Sequence, residues 1–195
     1  MRESSLNRET AETKIALSLN LDGTGQSEID TGIPFFDHML TLFSKHSLID
    51  LEVSVDGDIE VDGHHTIEDT GIVLGDAIRE ALGDKAGIQR YGHSYVPMDE
   101  TLARVVVDLS NRPYLAFNPP ADTASAPNMP FTLVEEFFRA VASNLRANIH
   151  VDLLAGRDGH HIAEAIFKAL ARSIRVAVTI DPRQEGAIPS TKAVL

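Results

Sequence analysis

The stretch DGHHTIEDTGI, from Asp62 to Ile72, is written again as DGHHIAEAIFK from Asp158 to Lys168. Two copies of Asp-Gly-His-His-x-x-Glu in a chain of 195 residues constrain its fold more than any other feature. In the same register Leu74 matches Leu170, Ile78 matches Ile174 and Arg79 matches Arg175. The order of elements around the motif repeats too. Apolar/polar alternation predicts strands at about 13–21 and 26–31. A helix is expected at about 34–46, with Pro34 in its first turn, where a missing N–H costs nothing. DLEVSVDG then predicts a strand, and a helix follows from about 64 to 83, closed at Gly83. In the second half TLARVVVDLS and PYLAFNPP predict strands, followed by a loop, PPADTASAP, and a helix at about 130–146. The strand NIHVDLLAG and a helix at about 160–178, stopped by DPR, complete it. The expected fold is therefore α/β, of the α+β type, with two tandem ββαβα repeats at about 1–92 and 93–195. Each half alone would bury a poor core, so the two are expected to pack as a single domain.

Composition narrows the chemistry. The chain has no cysteine, which excludes disulfides and thiolates and leaves imidazole and carboxylate as metal ligands. A net charge of −12 argues against a nucleic-acid partner, whose phosphates demand a basic face. No run of about 18 apolar residues predicts a membrane span. The opening MRESSLNRETAETK lacks the apolar core of a signal peptide. These features predict a cytoplasmic protein acting on something small.

On a helix, His64 and Glu68 lie one turn apart on one face and can chelate one ion. His65 is rotated by about 100° and points elsewhere. His160, Glu164 and His161 repeat that geometry. If the halves are related by a pseudo-twofold axis, each helix offers a His/Glu pair to one ion and a single His to the other. One site would then hold His64, Glu68 and His161, and its twin His160, Glu164 and His65. His38, or its repeat counterpart Glu136, would add a further ligand. Such a donor set suits Mn, Fe, Co or Zn. From the residues alone, a two-metal phosphoester hydrolase and a metal-storing cage protein remain open beside a two-metal lyase.

The stretches FFDHML, DGHHTIEDTGI, YVPMDETLARVVVDLSNRPYL, GRDGHHIAEAIFKALARSIR and IPSTKAVL together resemble imidazoleglycerol-phosphate dehydratase, in order along nearly the whole chain. The resemblance implies a fold like the second domain of ribosomal protein S5. It also implies a cage of twenty-four subunits with active sites between them, and two Mn2+ ions per site. The implied reaction removes water from imidazoleglycerol phosphate to give imidazoleacetol phosphate, through an imidazolate stabilised by both ions. Carried over by motif, the metal ligands are His38, His64, His65, Glu68, His160, His161 and Glu164, with Glu136 standing where many members have a histidine. The implied acid/base carboxylate is Glu12, in the ET pair before the first predicted strand. Implied substrate and phosphate contacts are His46, Arg90, Arg112, Lys168, Ser190, Thr191 and Lys192, beside the metal ligands themselves. Ala193 stands where the family's tail usually has Gly.

Overall fold

The computed structural model describes residues 2–120, 122–126, 128–184 and 186–195. The first repeat runs β1 (Glu3–Glu9), β2 (Thr13–Asn20), β3 (Ser27–Asp30), α1 (Pro34–Ser47), β4 (Asp50–Gly57) and α2 (His64–Leu82). The second runs β5 (Tyr91–Met98), β6 (Thr101–Asp108), β7 (Tyr114–Phe117), α3 (Phe131–Leu145), β8 (Asn148–Ala155) and α4 (Gly159–Val178). The expected ββαβα order is present twice, and in each repeat one further strand precedes it. Both added strands are sheet edges with weak patterns. ESSLNRE carries a single apolar residue, and YGHSYVPM contains a glycine and a proline. Gly92 in β5 has a specific cause: a Cβ there would fall 1.9 Å from the carbonyl oxygen of Ser173, so α4 lies directly on the strand.

Two four-stranded sheets result, ordered β1-β2-β4-β3 and β5-β6-β8-β7. In both, the first three strands pair antiparallel and the last strand joins in parallel. β2 and β6 alternate strictly, with Ile15, Leu17 and Leu19 buried in one and Ala103, Val105 and Val107 in the other. The helices cover those faces. α2 lies on β1 and β2, α4 lies on β5 and β6, and the helices of one repeat then pack on those of the other, α1 against α4 and α2 against α3. The core is thus one cluster drawn from both repeats. At its centre Phe137 of α3 meets Phe36 of α1 edge-on at 5.3 Å between ring centres, and stacks on Phe167 of α4 at 5.2 Å. Such pairs add about 0.5–1.5 kcal/mol beyond the area they bury.

The repeated Asp-Gly opens each long helix. Asp158 caps α4 by accepting from the backbone N–H of His160 at 2.9 Å and of His161 at 3.1 Å. Asp62 accepts from His64 N–H at 2.7 Å ahead of α2. The cap of Asp158 fixes where the first turn of α4 starts, and the Asp62 bond holds the chain as it enters α2 at Gly63.

The α2–α3 contact is close at Gly75, where a Cβ would lie 2.8 Å from Leu145 N, 2.9 Å from Val141 O and 3.0 Å from Asn144 Cβ. Backbone atoms cannot swing aside. Gly75→Ala, normally favourable within a helix, is therefore expected to destabilise the protein by about 1–3 kcal/mol through forced separation of α2 and α3. Urea unfolding monitored by circular dichroism checks it, and a midpoint at or above wild type would show that the helices can part without cost.

Candidate metal and substrate site

Among the described residues, one set of three ligand atoms lies within 4.8 Å of one another, contributed by His38, His160 and Glu164. It straddles the repeats: His38 stands on α1, the other two one turn apart on α4. His38 Nε2 and His160 Nε2 approach the same oxygen, Glu164 Oε2, at 3.3 and 3.1 Å. The other oxygen, Oε1, accepts from Lys168 Nζ. Glu164 is 7% exposed. Burial pushes its carboxyl up, but hydrogen bonds from Lys168, His38 and His160 outweigh that and leave the net shift downward. Two imidazoles and a carboxylate converging from separate helices could hold a divalent transition metal. Phe35 packs edge-on against His160 at 5.1 Å and walls one side.

The companion pair on α2, His64 and Glu68, has Nε2 and Oε2 3.5 Å apart. Within each His-His pair the rings are nearly perpendicular, 82° for His64 and His65 and 89° for His160 and His161. His65 and His161 therefore leave the ligand faces of their helices. His65 Nδ1 lies 2.9 Å from Asp58 Oδ2, and its Nε2 lies 3.7 Å from Glu12. His161 Nδ1 lies 2.8 Å from Glu100 Oε2, with Asp99 3.9 Å from its Nε2. The hydrogen bond that His65 donates to Asp58 raises its imidazole, and the one that His161 donates to Glu100 raises that of His161. Glu100 itself is held down to about 2 by His161 and by the backbone N–H of Asp158 and Arg157. A carboxylate on Nδ1 fixes the tautomer and leaves Nε2 as the outward lone pair. Within this chain the structure does not bring His65 to the His160–Glu164 pair. Glu136 turns along its own helix, with Oε2 3.5 Å from Arg139 Nε.

A second cluster is basic. Arg90, Tyr91, Ser110, Asn111 and Arg112 form a groove with Ser190, Thr191 and Lys192 of the tail. Arg90 is nearly buried and donates to both oxygens of Asp108 at 2.7 and 3.2 Å, and to the carbonyl of Pro189 at 2.9 Å. Its guanidinium thus ties the tail to β6. Arg112 is mostly exposed, 3.9 Å from Asp108. His46, on α1, is shifted downward by burial and by the charges of Lys168 and Arg172.

Sequence reasoning passed over Asp58, Glu100 and Lys85. Glu100 had a visible signal: Glu100-Thr101 opens β6 as Glu12-Thr13 opens β2. Lys85 had none. It is 4% exposed behind the basic groove, with Nζ donating to the carbonyl of Leu109 at 3.1 Å.

A family model described as imidazoleglycerol-phosphate dehydratase matches residues 31–174. A protein of that name from Akkermansia muciniphila is 61% identical over 196 residues, covering all of both chains. One from Nitrosomonas eutropha is 52% identical over 195 residues, again covering both completely. The crystal structure of imidazoleglycerol-phosphate dehydratase from Staphylococcus aureus superposes with a TM-score of 0.83 at 44% identity, covering 92% of this chain and 99% of the other. The structure of IGPD from Pyrococcus furiosus, in complex with (S)-C348, gives a TM-score of 0.85 at 37% identity, covering 97% of this chain and 100% of the other.

Burial, with a lesser contribution from the charge of Arg146, pushes Lys85 down from 10.5 to about 8. Between those two values the unfolded chain binds more protons than the folded one, so Lys85 makes stability rise with pH across that window. The slope approaches about 1.4 kcal/mol per pH unit at most. Lys85→Met is expected to lose this rise. Urea unfolding of both proteins near pH 8 and near pH 10 tests it; parallel pH dependence would show that the lysine is solvated in the native state.

Proposed function

The chain belongs to the imidazoleglycerol-phosphate dehydratase family, and on that premise we propose that its 195 residues, as one catalytic domain of two repeats, convert imidazoleglycerol phosphate to imidazoleacetol phosphate at a site holding two manganese ions. A dehydratase is a hydro-lyase, and this step lies in histidine biosynthesis. No helix among the described residues is long and apolar enough to cross a membrane, and the enzyme is assigned to the cytoplasm. The observation that carries the reading is the convergence of His38, His160 and Glu164 from both repeats on one point.

Those three residues would hold one ion, with His65 as a further ligand. His64 and Glu68, with His161 and the region of Glu136, would hold the other. His65 and His161 are supplied from neighbouring copies, in a cage of twenty-four subunits whose sites lie between chains. Manganese ions held there would supply the Lewis acidity that lets the substrate's ring carry negative charge. The chain's own side chains do the rest. Asp58 and Glu100 hold the Nδ1 side of His65 and His161, so that each presents Nε2. Lys168 keeps Glu164 ionised and aimed. Arg112, Lys192, Ser190 and Thr191 bind the phosphate, while Arg90 holds the tail that carries three of them. His46 lines the substrate side of α1. Glu12, more than half exposed beside His65, moves the proton that the departing hydroxyl or the reacting carbon requires.

Manganese-loaded protein is expected to form the ketone from imidazoleglycerol phosphate, and exhaustive chelation to abolish turnover and shrink the particle in light scattering. Phosphate release without ketone would instead favour a phosphoester hydrolase. Unchanged particle size with metal verified absent would remove the ions from the assembly.

Arg112→Ala and Lys192→Ala are each expected to cost about 1.5–3 kcal/mol in substrate binding, as lost hydrogen bonds to a charged phosphate. Bound manganese should stay at wild-type levels. KM and competitive inhibition by inorganic phosphate are the measurements; wild-type values in both variants would take the phosphate out of this groove.

A further inference from the structure

The duplicated halves provide an internal control for the carboxylate beside His65. Glu12-Thr13 sits in the tight turn between β1 and β2, and Glu100-Thr101 in the equivalent turn between β5 and β6. The two glutamates have opposite surroundings. Glu100 is fully engaged: besides His161, its Oε1 accepts from Thr101 Oγ1 at 3.2 Å, Asp158 N at 3.0 Å and Arg157 N at 3.3 Å. Among the described residues, the Glu12 carboxylate accepts no hydrogen bond, its nearest charged partner being His65 Nε2 at 3.7 Å, while the Glu12 carbonyl accepts from the backbone N–H of Asp58.

The threonine hydroxyls explain part of the difference. Thr101 turns its hydroxyl to its own neighbour Glu100, whereas Thr13 donates instead to Asp69 Oδ2 at 2.5 Å. Asp69 is 8% exposed, and its other oxygen accepts from Arg8 Nη2 at 3.0 Å and Nε at 3.3 Å. Thr10 completes the brace, its hydroxyl accepting from the backbone N–H of Glu12 at 3.1 Å and of Thr13 at 2.9 Å. The second repeat has no such brace. Ala165 follows Glu164 as Asp69 follows Glu68, and Val96 pairs with Ala103 as Arg8 pairs with Ile15. Both replacements are apolar and buried, Ala165 at 0% and Val96 at 8% exposure.

The same fold therefore accepts an apolar pair at these positions. The Arg8 side chain is 40% exposed and that of Asp69 11%, and a partly exposed ion pair contributes little to stability, so stability alone gives little reason for Arg8 and Asp69. We propose that Asp69 is a positioning residue for the dehydration: it draws the Thr13 hydroxyl away from Glu12 and braces the turn, leaving the Glu12 carboxylate unbound for proton transfer. Arg8 fixes Asp69 in that role. The proposal rests on the reading of Glu12 as the acid/base group.

The test compares three full-length, manganese-loaded proteins: Glu12→Gln, Asp69→Asn and the double variant Arg8→Val/Asp69→Ala, which installs in the first repeat the pair used by the second. Loss of an acid/base group lowers kcat by about a hundredfold or more, the expectation for Glu12→Gln. The double variant should lose about tenfold in kcat with KM within about twofold, because Glu12 is present but diverted. Its thermal unfolding and manganese content should match wild type. Its crystal structure should show Thr13 Oγ1 turned to Glu12, as Thr101 is to Glu100. Asp69→Asn keeps an oxygen to accept from Thr13 and should recover most of the lost turnover. Wild-type kcat in the double variant, with Glu12→Gln impaired, overturns the positioning role and leaves Glu12 standing. Wild-type kcat in Glu12→Gln overturns the acid/base reading itself, and this proposal with it.

Discussion

The packing of α1 on α4 decides where the candidate site lies in this molecule. His38 belongs to one repeat and the His160–Glu164 pair to the other, and only helix crossing brings them within a ligand's reach. Phe36, Phe137 and Phe167 fill the space beneath that crossing, so the distance between His38 and Glu164 is set by the volume of a packed aromatic core. Close-packed interiors deform little. His38, His160 and Glu164 are thereby held in place by the core itself, and a substitution in the phenylalanine cluster would be felt at the candidate site without touching it.

Placing Glu164 at 7% exposure carries an electrostatic cost that the surroundings must offset. Lys168 on one oxygen and two imidazoles on the other do so, one helical turn on either side or from the facing helix. The chain is acidic overall, yet its cations are not scattered evenly: Arg90, Arg112 and Lys192 line one groove, with buried Lys85 behind it. A field of local positive charge on an acidic protein attracts a small anion while repelling polyanions.

Much of this was legible in the sequence, and the remainder was hidden for identifiable reasons. The repeat, the helices and the central strands follow from periodicity and from the doubled motif, and the divergence of His64 from His65 follows from the helical turn alone. β1 and β5 were missed because edge strands exposed on one face need few apolar residues, and ESSLNRE has only Leu6. The cross-repeat pairing of helices leaves no mark in local pattern, since an apolar helix face does not say which other face it meets. Glu136 and His38 are equivalent by position, but the carboxylate folds back toward Arg139 whereas the imidazole reaches the facing helix. Arg90 was selected as a phosphate contact from the resemblance; its bonds to Asp108 and Pro189 show that much of its guanidinium is spent inside the protein. Lys85 stands in no motif, and its burial depends entirely on how the segment after α2 folds under β6.

The repeats have diverged in a way that suits an unsymmetrical ligand. Arg2 and Arg90 occupy equivalent positions, each accepting through its carbonyl from the residue that follows the paired strand, Leu21 in one case and Leu109 in the other. Arg2 pairs with Asp22 at an exposed edge. Arg90 instead pairs with Asp108 under the tail, beside Arg112 and Lys192. The brace of Arg8, Asp69 and Thr13 has no counterpart in the second half, where Val96 and Ala165 stand. An imidazole ring offers two nitrogens that make nearly the same demand, which a duplicated His-His-x-x-Glu helix can meet twice. The chain attached to that ring carries a phosphate at one end and the bonds to be broken nearer the other, and neither demand is doubled. In the proposed function the repeated residues would serve the ring, and the unrepeated ones the phosphate and the proton.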